Sequence, residues 1–249
     1  LKDAKQPIAI AVERDNGRVS VRHTFIHGTP EMAAADYRYV ERVVKFLLWS
    51  TGGFRVSICG CSELAQKLQK AYKIGGEREF DFTFVEQLYE KTLEILDLPL
   101  EQCPASNEVA QPMGGNMDGC RIGFDAGGSD RKVSAVIDGT CVYSEEVVWF
   151  PKLQNDPKYH YDGIMDAMKT AASKMPRVDA IGVSTAGVVI GNRIMTSSLF
   201  LKVKNENPEA FEKVVKNIYT DIAKELGNVP IEVANDGDVT ALQALWIWA

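Results

Sequence analysis

The sequence predicts an α/β protein in which a domain built on a mixed sheet is preceded by a small α/β module. Three observations carry that prediction. From Cys120 onward, short runs rich in β-branched and aromatic residues alternate with segments whose apolar residues recur at helical spacing, in the order β-β-β-α-β-α-β-α. Pro104 to Gly115, with two prolines and the pair Gly114-Gly115, separates these runs from an earlier set of elements. A content of 45% hydrophobic and 25% charged residues in 249 supplies one large core or two smaller ones. The boundary is expected near residue 112, dividing an accessory module, 1–112, from a larger domain, 113–249.

In the module, Ile8 to Val12 and Val19 to Phe25 are β-rich runs joined by the hairpin signal Asp15-Asn16-Gly17. Glu31 to Trp49 carries Val40, Val43, Val44, Leu47 and Leu48 at helical spacing and stops at Thr51-Gly52-Gly53. Phe54 to Cys59 reads as a strand, Ser62 opens a helix broken by Gly75-Gly76, and Phe82 to Leu96 reads as a further amphipathic helix. The expected order is β-β-α-β-α-α.

In the second domain, Arg121 to Phe124, Arg131 to Ile137 and Cys141 to Val148 form a three-strand meander. A helix over Asp162 to Lys174, a strand over Ala180 to Val183 and a long helix over Pro208 to Leu226 follow. Ile231 to Ala234 then reads as a buried strand, and Asp238 as the cap of the last apolar helix.

Charge narrows the function. The chain holds 28 basic and 34 acidic residues, net −6; the first 110 residues hold 14 and 16, the remainder 14 and 18. Neither half is a basic surface for a polyanion, which predicts no nucleic-acid partner. Apolar runs such as Val188-Val189-Ile190 are far short of the roughly 20 residues that span a bilayer. That predicts a soluble, cytoplasmic protein with no membrane partner. Five scattered cysteines fit a reduced compartment, and Cys59-Gly60-Cys61 lacks a second Cys or His pair at zinc-ligand spacing. The chain opens at Leu1 and closes inside the apolar run Leu242 to Ala249, as a piece of a longer protein would.

Three elements could carry chemistry. Asp125-Ala126-Gly127-Gly128-Ser129 lies between two strands, where glycines bring backbone N–H groups close to phosphate oxygens or allow positive φ. Its carboxylate could hold the water shell of Mg²⁺. Equally, this is ordinary turn chemistry, and Arg131 beside it is either a phosphate partner or a solvated strand residue. Gly182 to Val188 leaves a buried strand in small residues. Asn235-Asp236 puts a carboxylate at the C-terminal end of a central strand, where open α/β sheets bind ligands, or else forms a helix-cap turn.

Taken together, Gly123-Phe124-Asp125-Ala126-Gly127-Gly128-Ser129, Ile181 to Val188 and Val233-Ala234-Asn235-Asp236-Gly237-Asp238 resemble the actin-like sugar-kinase superfamily, whose half-domain is RNase H-like. Within it they are most similar to the ROK family of bacterial sugar kinases and regulators, over about residues 120 to 249. The resemblance implies an N-terminal lobe of such a kinase over 113–249, with ATP and Mg²⁺ as cofactors and a sugar as the small-molecule partner. Asp125, Gly127, Gly128, Ser129 and Arg131 would face the phosphates, Asp125 the metal. Ala186, Gly187, Asn235 and Asp236 would face the sugar, with Asp236 as the base that takes the proton of the attacking hydroxyl.

This chain departs from the family at Thr185-Ala186-Gly187, where a proline and a glycine are usual. The family's zinc segment, second phosphate loop and adenosine pocket would fall beyond Ala249. Other readings are a non-catalytic sugar or nucleotide sensor, a nuclease with Asp125 and Asp236 as ligands of two metals, and a scaffold. The first 110 residues match no piece of the family; they suit a module that covers the sheet or makes a homo-oligomer contact.

Overall fold

The computed structural model describes residues 2–109 and 115–248, the side chains of 244–248 excepted. The chain forms two compact units, Leu1–Pro112 and Met113–Ala249. No helix among the described residues is long and apolar enough to cross a membrane.

The first unit comprises β1 (Gln6–Arg14), β2 (Arg18–Ile26), α1 (Ala33–Ser50), β3 (Arg55–Cys59), α2 (Ser62–Ala71), α3 (Glu79–Tyr89) and β4 (Glu94–Leu98). Its sheet runs β2-β1-β3-β4, with β1 antiparallel to both neighbours and β3 parallel to β4. Ile8, Ile10, Val12, Val56 and Ile58 pack there against Val40 and Val44 of α1 and Leu64 and Leu68 of α2.

Two expectations for this unit are corrected. The helix expected over Phe82 to Leu96 ends at Tyr89, because Glu90 takes a left-handed φ of 54°. Leu93 and Ile95 are buried on either side of exposed Glu94, the period of a strand. The start of the expected linker also belongs to this unit. Asn107 accepts from the Val19 amide at 2.6 Å and donates to the Gly17 carbonyl at 2.8 Å, while Glu108 pairs with Arg14 at 2.5 Å. Residues 110–114 of that linker lie outside the described residues.

The second unit comprises β5 (Cys120–Ala126), β6 (Asp130–Ile137), β7 (Thr140–Val148), α4 (Pro157–Ala172), β8 (Ala180–Thr185), β9 (Val188–Ile190), β10 (Arg193–Thr196), α5 (Leu201–Glu206), α6 (Pro208–Lys213), α7 (Ile218–Glu225), β11 (Ile231–Asn235) and α8 (Asp236–Trp248). Its main sheet runs β11-β8-β5-β6-β7. β5, β8 and β11 are parallel, and β5, β6 and β7 form an antiparallel meander. Three antiparallel strands in sequence order, with two later strands parallel to the first, form the RNase H-like arrangement that the motif resemblance implies.

Alternation along the strands sets its layers. Ile122, Phe124 and Ala126 on β5, Ile181, Val183 and Thr185 on β8, and Val133 and Ala135 on β6 are buried on one face. Ile164, Met168 and Ala171 of α4 and Ile218, Tyr219 and Ile222 of α7 share that core. Burying a side chain of the size of Ile or Met contributes about 1.5–3 kcal/mol, so this face holds the unit together. The opposite face carries Gly123, Asp125, Gly182, Ser184, Lys132 and Ser134.

The expected long helix over Pro208 to Leu226 is divided. Val214 and Val215, stiff β-branched residues, and Asn217 interrupt it between α6 and α7. Helix α4 starts earlier than expected, at an Asp-Pro signal: Asp156 caps it through the Lys158 amide at 2.9 Å, with Pro157 in its first turn.

The hairpin β9–β10 was not expected. It turns on Gly191 and Asn192, both at positive φ, 57° and 65°, as a two-residue hairpin turn demands. The Asn192 side chain donates to the Ile231 carbonyl at 3.1 Å and accepts from the Val233 amide at 2.8 Å, fastening the hairpin along β11.

Candidate functional site at the strand ends

The parallel register decides which predicted residues can meet. Asp125 lies opposite Ser184, and Ser184 opposite Ala234; one residue further on, Ala126, Thr185 and Asn235 stand in a row. The strand spacing of about 4.8 Å puts Asp125 and Ala234 about 10 Å apart across β8. Asp125, the Gly127-Gly128 turn, Ala186-Gly187 and Asn235-Asp236 therefore share the C-terminal end of one sheet.

Asp125 points to the face away from α4 and α7, with Lys132 and then Glu146 beside it on the neighbouring strands. Lys132 Nζ lies 2.9 Å from Asp130 Oδ1. That bond holds the Asp130 carboxyl below the usual carboxylate range and the Lys132 ammonium above the usual lysine range. A cleft of about 320 Å³ opens here, lined by Gly123, Asp125, Lys132, Ser134, Ser144 and Glu146 among others.

The turn after Asp125 is held from behind. Buried Trp149 donates its indole N–H to the Gly127 carbonyl at 2.8 Å and its backbone N–H to the Ser129 carbonyl at 3.1 Å. In a trans peptide C=O and N–H point oppositely, so the Gly128 N–H points away from the indole. Neither Gly127 nor Gly128 has a positive φ; at Gly127 close approach of backbone excludes a side chain, whereas at Gly128 the near neighbour is the movable end of a lysine. A Cβ on Gly127 would stand 2.6 Å from the Asp130 carbonyl oxygen, and one on Gly128 2.9 Å from Lys152 Nζ.

Arg131 is corrected: it does not belong to this face. Opposite Ala126, it projects to the helix side, where its guanidinium pairs with Asp166 of α4 at 3.1 Å. A Cβ on Gly163 of α4 would stand 2.7 Å from that guanidinium.

At the other end of the row, the Asn235 side chain donates to the Gly187 carbonyl at 2.8 Å and accepts from the Gly237 amide at 2.8 Å. Asn235, rather than Asp238, is thus the cap of α8. Gly187 has φ +114°, and a Cβ there would fall on the Thr196 carbonyl oxygen. Asp236 is exposed in the first turn of α8, its Oδ1 accepting from the Gly237 amide at 2.9 Å. Buried Thr185 accepts from the Tyr219 phenol at 3.2 Å. Burial pushes that phenol up, and the Asp125 charge adds to the shift.

The structure brings the predicted residues other than Arg131 to one sheet end, and the cleft at Asp125 includes none of Ala186, Gly187, Asn235 and Asp236 in its lining. A larger groove of about 720 Å³ lies toward the N-terminal ends of these strands, between Arg121, Gly182 and Glu232 and the α8 residues Val239, Leu242 and Gln243. It contains none of the predicted site residues.

The donors at the turn fit one kind of metal site. Mg²⁺ is commonly held by one or two carboxylates while phosphates and water fill its other positions, and the single carboxylate of Asp125 beside the Gly127-Gly128 turn suits that. A two-metal nuclease centre needs clustered carboxylates; among the described residues no group of three or more His, Cys, Asp or Glu side chains is placed to hold a metal ion.

Trp149 and Lys152 were missed in the sequence because their places depend on tertiary structure: the β6–β7 pairing sets Trp149 behind the turn, and the chain reversal at Pro151–Leu153 brings Lys152 over Gly128. Pro151 is the one local signal.

No protein-family model matches the chain, and no curated protein matches it. Solved structures do. An inorganic polyphosphate/ATP-glucomannokinase from Arthrobacter sp. strain KM is 20% identical over 48% of this chain and 45% of its own, with a TM-score of 0.35. A ROK hexokinase from Thermus thermophilus is 16% identical over 47% and 34%, with a TM-score of 0.33. A ROK family transcriptional regulator, a homologue of the E. coli Mlc protein, is 13% identical over 49% and 28%, with a TM-score of 0.37. The chain thus spans less than half the length of each, and likenesses of this extent say nothing about activity. Over about half its length the chain is similar to solved proteins that include a ROK hexokinase, a ROK family regulator and a glucomannokinase.

Proposed function

We propose that the second unit is the N-terminal lobe of an ATP-dependent sugar kinase of the ROK type, binding the nucleotide phosphates at the Gly127-Gly128 turn and the sugar at Asn235-Asp236. One observation carries this reading above the others: the parallel register that sets Asp125 and Asn235 at the same end of three adjacent strands. Open α/β sheets bind their ligands outside such carboxyl ends.

Each residue then has a task. The turn offers the Gly128 N–H to phosphate oxygens, with no side chain of its own in the way. Asp125 orients the hydrated cation that accompanies ATP; when bound, Mg²⁺ supplies neutralisation of phosphate charge during transfer. Asp236 Oδ1 is engaged by the Gly237 amide, and Oδ2 is available to accept the proton of a sugar hydroxyl as that hydroxyl attacks the γ-phosphorus. Asn235 holds the Gly187 carbonyl beside that carboxylate and so acts as a positioning residue. The first unit is proposed as an accessory module of the same protein.

The test is a coupled ADP-release assay on the full-length protein over a panel of hexoses and amino-sugars, with ATP and sugar binding followed by calorimetry. Asp236→Asn should lower kcat by about 10²–10⁴-fold, with little change in ATP affinity. Full turnover by that variant would remove Asp236 as the base. Sugar binding without turnover by the wild type would identify a sensor instead.

A further inference from the structure

Beyond the motif residues, the structure holds a cation poised over the phosphate turn that no motif contains. Lys152 Nζ and Cε would lie 2.9 and 3.0 Å from a Cβ on Gly128, so the ammonium stands directly over the glycine whose N–H points away from Trp149. Among the described residues Lys152 has no carboxylate partner. The other basic groups nearby are engaged: Lys132 with Asp130, Arg131 with Asp166 on the opposite face. Asp130 is thus paired, and Lys152 is the cation at the turn whose ammonium is left open to a ligand.

Its backbone is pinned. The Leu153 amide donates to the Phe150 carbonyl at 3.1 Å and the Gln154 amide to the Pro151 carbonyl at 3.2 Å. Buried His160 donates from Nε2 to the Pro151 carbonyl at 3.0 Å, and Lys202 donates to the Leu153 carbonyl at 3.0 Å. One short segment thus performs two tasks: Trp149 orients the turn's carbonyls, and three residues later Lys152 places a charge on its open side. A lysine on a fixed backbone reaches a phosphate without having to order its loop first.

We propose that Lys152 is a phosphate-contacting residue of this turn, binding the polyphosphate chain of the nucleotide alongside the Gly128 N–H. The proposal rests on the reading of the turn as a phosphate loop. It adds that recognition is shared between the turn and a lysine from the segment after β7, and that a triphosphate without a nucleoside suffices to engage both.

Calorimetric titration of the full-length protein with inorganic triphosphate and with ATP, each with Mg²⁺, tests it. Lys152→Met should weaken both by about tenfold, the scale of one charge-assisted hydrogen bond, and Lys152→Arg should restore most of the loss. The salt dependence of triphosphate binding should become shallower in Lys152→Met. In the coupled assay KM for ATP should rise more than kcat falls, with sugar affinity unchanged. Thermal unfolding should not move, because Lys152 is exposed.

Triphosphate binding by the wild type with equal affinity in Lys152→Met would overturn the role of Lys152 and leave the turn's reading intact. Failure of the wild type to bind triphosphate or ATP would overturn both.

Discussion

The side-chain amide of Asn235 donates to the main-chain carbonyl of Gly187 at 2.8 Å, while its oxygen accepts the Gly237 amide at the start of α8. One side chain thereby ties the loop after β8 to the end of β11 and caps the helix that bears Asp236. Asn235→Ala should cost about 1–3 kcal/mol in denaturant unfolding, a lost cap plus a carbonyl left unpaired. Asn235→Asp keeps an acceptor for Gly237 but sets a carboxylate against the Gly187 carbonyl. Because the cap is retained, its loss of turnover in the ADP-release assay should report the Gly187 bond alone; parity with wild type would show that this bond does not matter.

Gly187 is the position least tolerant of a side chain at this sheet end. Its φ of +114° and the approach of the Thr196 carbonyl both forbid a Cβ. Gly187→Ala should destabilise the protein by about 2–4 kcal/mol, from backbone strain and forced separation of the two loops. A denaturation midpoint unchanged from wild type would contradict the geometry. Gly182→Ala, with open space around its Cβ position, serves as the mild control.

Trp149→Phe keeps an aromatic ring in the buried site, removes the indole donor to Gly127 and leaves a small cavity, whose cost adds to that of the lost bond. The unpaired carbonyl should cost about 1–2 kcal/mol. The freed turn should bind triphosphate more weakly while sugar affinity stays the same, since Asn235 and Asp236 lie two strands away. Equal loss of sugar affinity would indicate general unfolding rather than a released turn.

His160 should give the stability a pH dependence. Burial pushes its imidazole below the ordinary 6.5, against the opposing pull of the Pro151 and Asp156 carbonyls. The unfolded chain then binds a proton that the folded one refuses. Its contribution is full above 6.5 and is lost as pH falls from 6.5 toward the depressed folded value. His27, raised by its hydrogen bond to Asp36, acts in the opposite sense: its contribution is present below 6.5 and lost as pH rises through the folded value. Subtracting the pH profile of His160→Gln from that of wild type isolates the first effect; a flat difference between pH 5 and 8 would refute it.

The second unit was largely legible because its strands are bounded by turn residues and alternate cleanly, as Cys120, Ile122, Phe124 and Ala126 do. Element order followed from the pattern, and the resemblance of the motifs supplied the sheet arrangement that sets Asp125 and Asn235 at one end. Glu94 to Leu98 was misread because Val85, Tyr89, Leu93 and Leu96 also fall at helical spacing; only the left-handed Glu90 divides them. The β9–β10 hairpin was missed because its strands are three and four residues long, too short to establish a period. Lys152 and Arg131 could not be placed from sequence. Which face a strand residue takes depends on register, and which turn a distant lysine covers depends on tertiary folding.

β11 is the outermost strand on its side of the main sheet, and a bare outer strand can recruit a strand from another molecule and seed a growing polymer. The Asn192 carboxamide copies one peptide unit of such a recruit, occupying the Ile231 carbonyl and the Val233 amide that a sixth parallel strand would need. The left-handed turn residue of a small hairpin therefore also acts as a chain terminator for sheet growth, and accretion on that side would first have to pull the hairpin away.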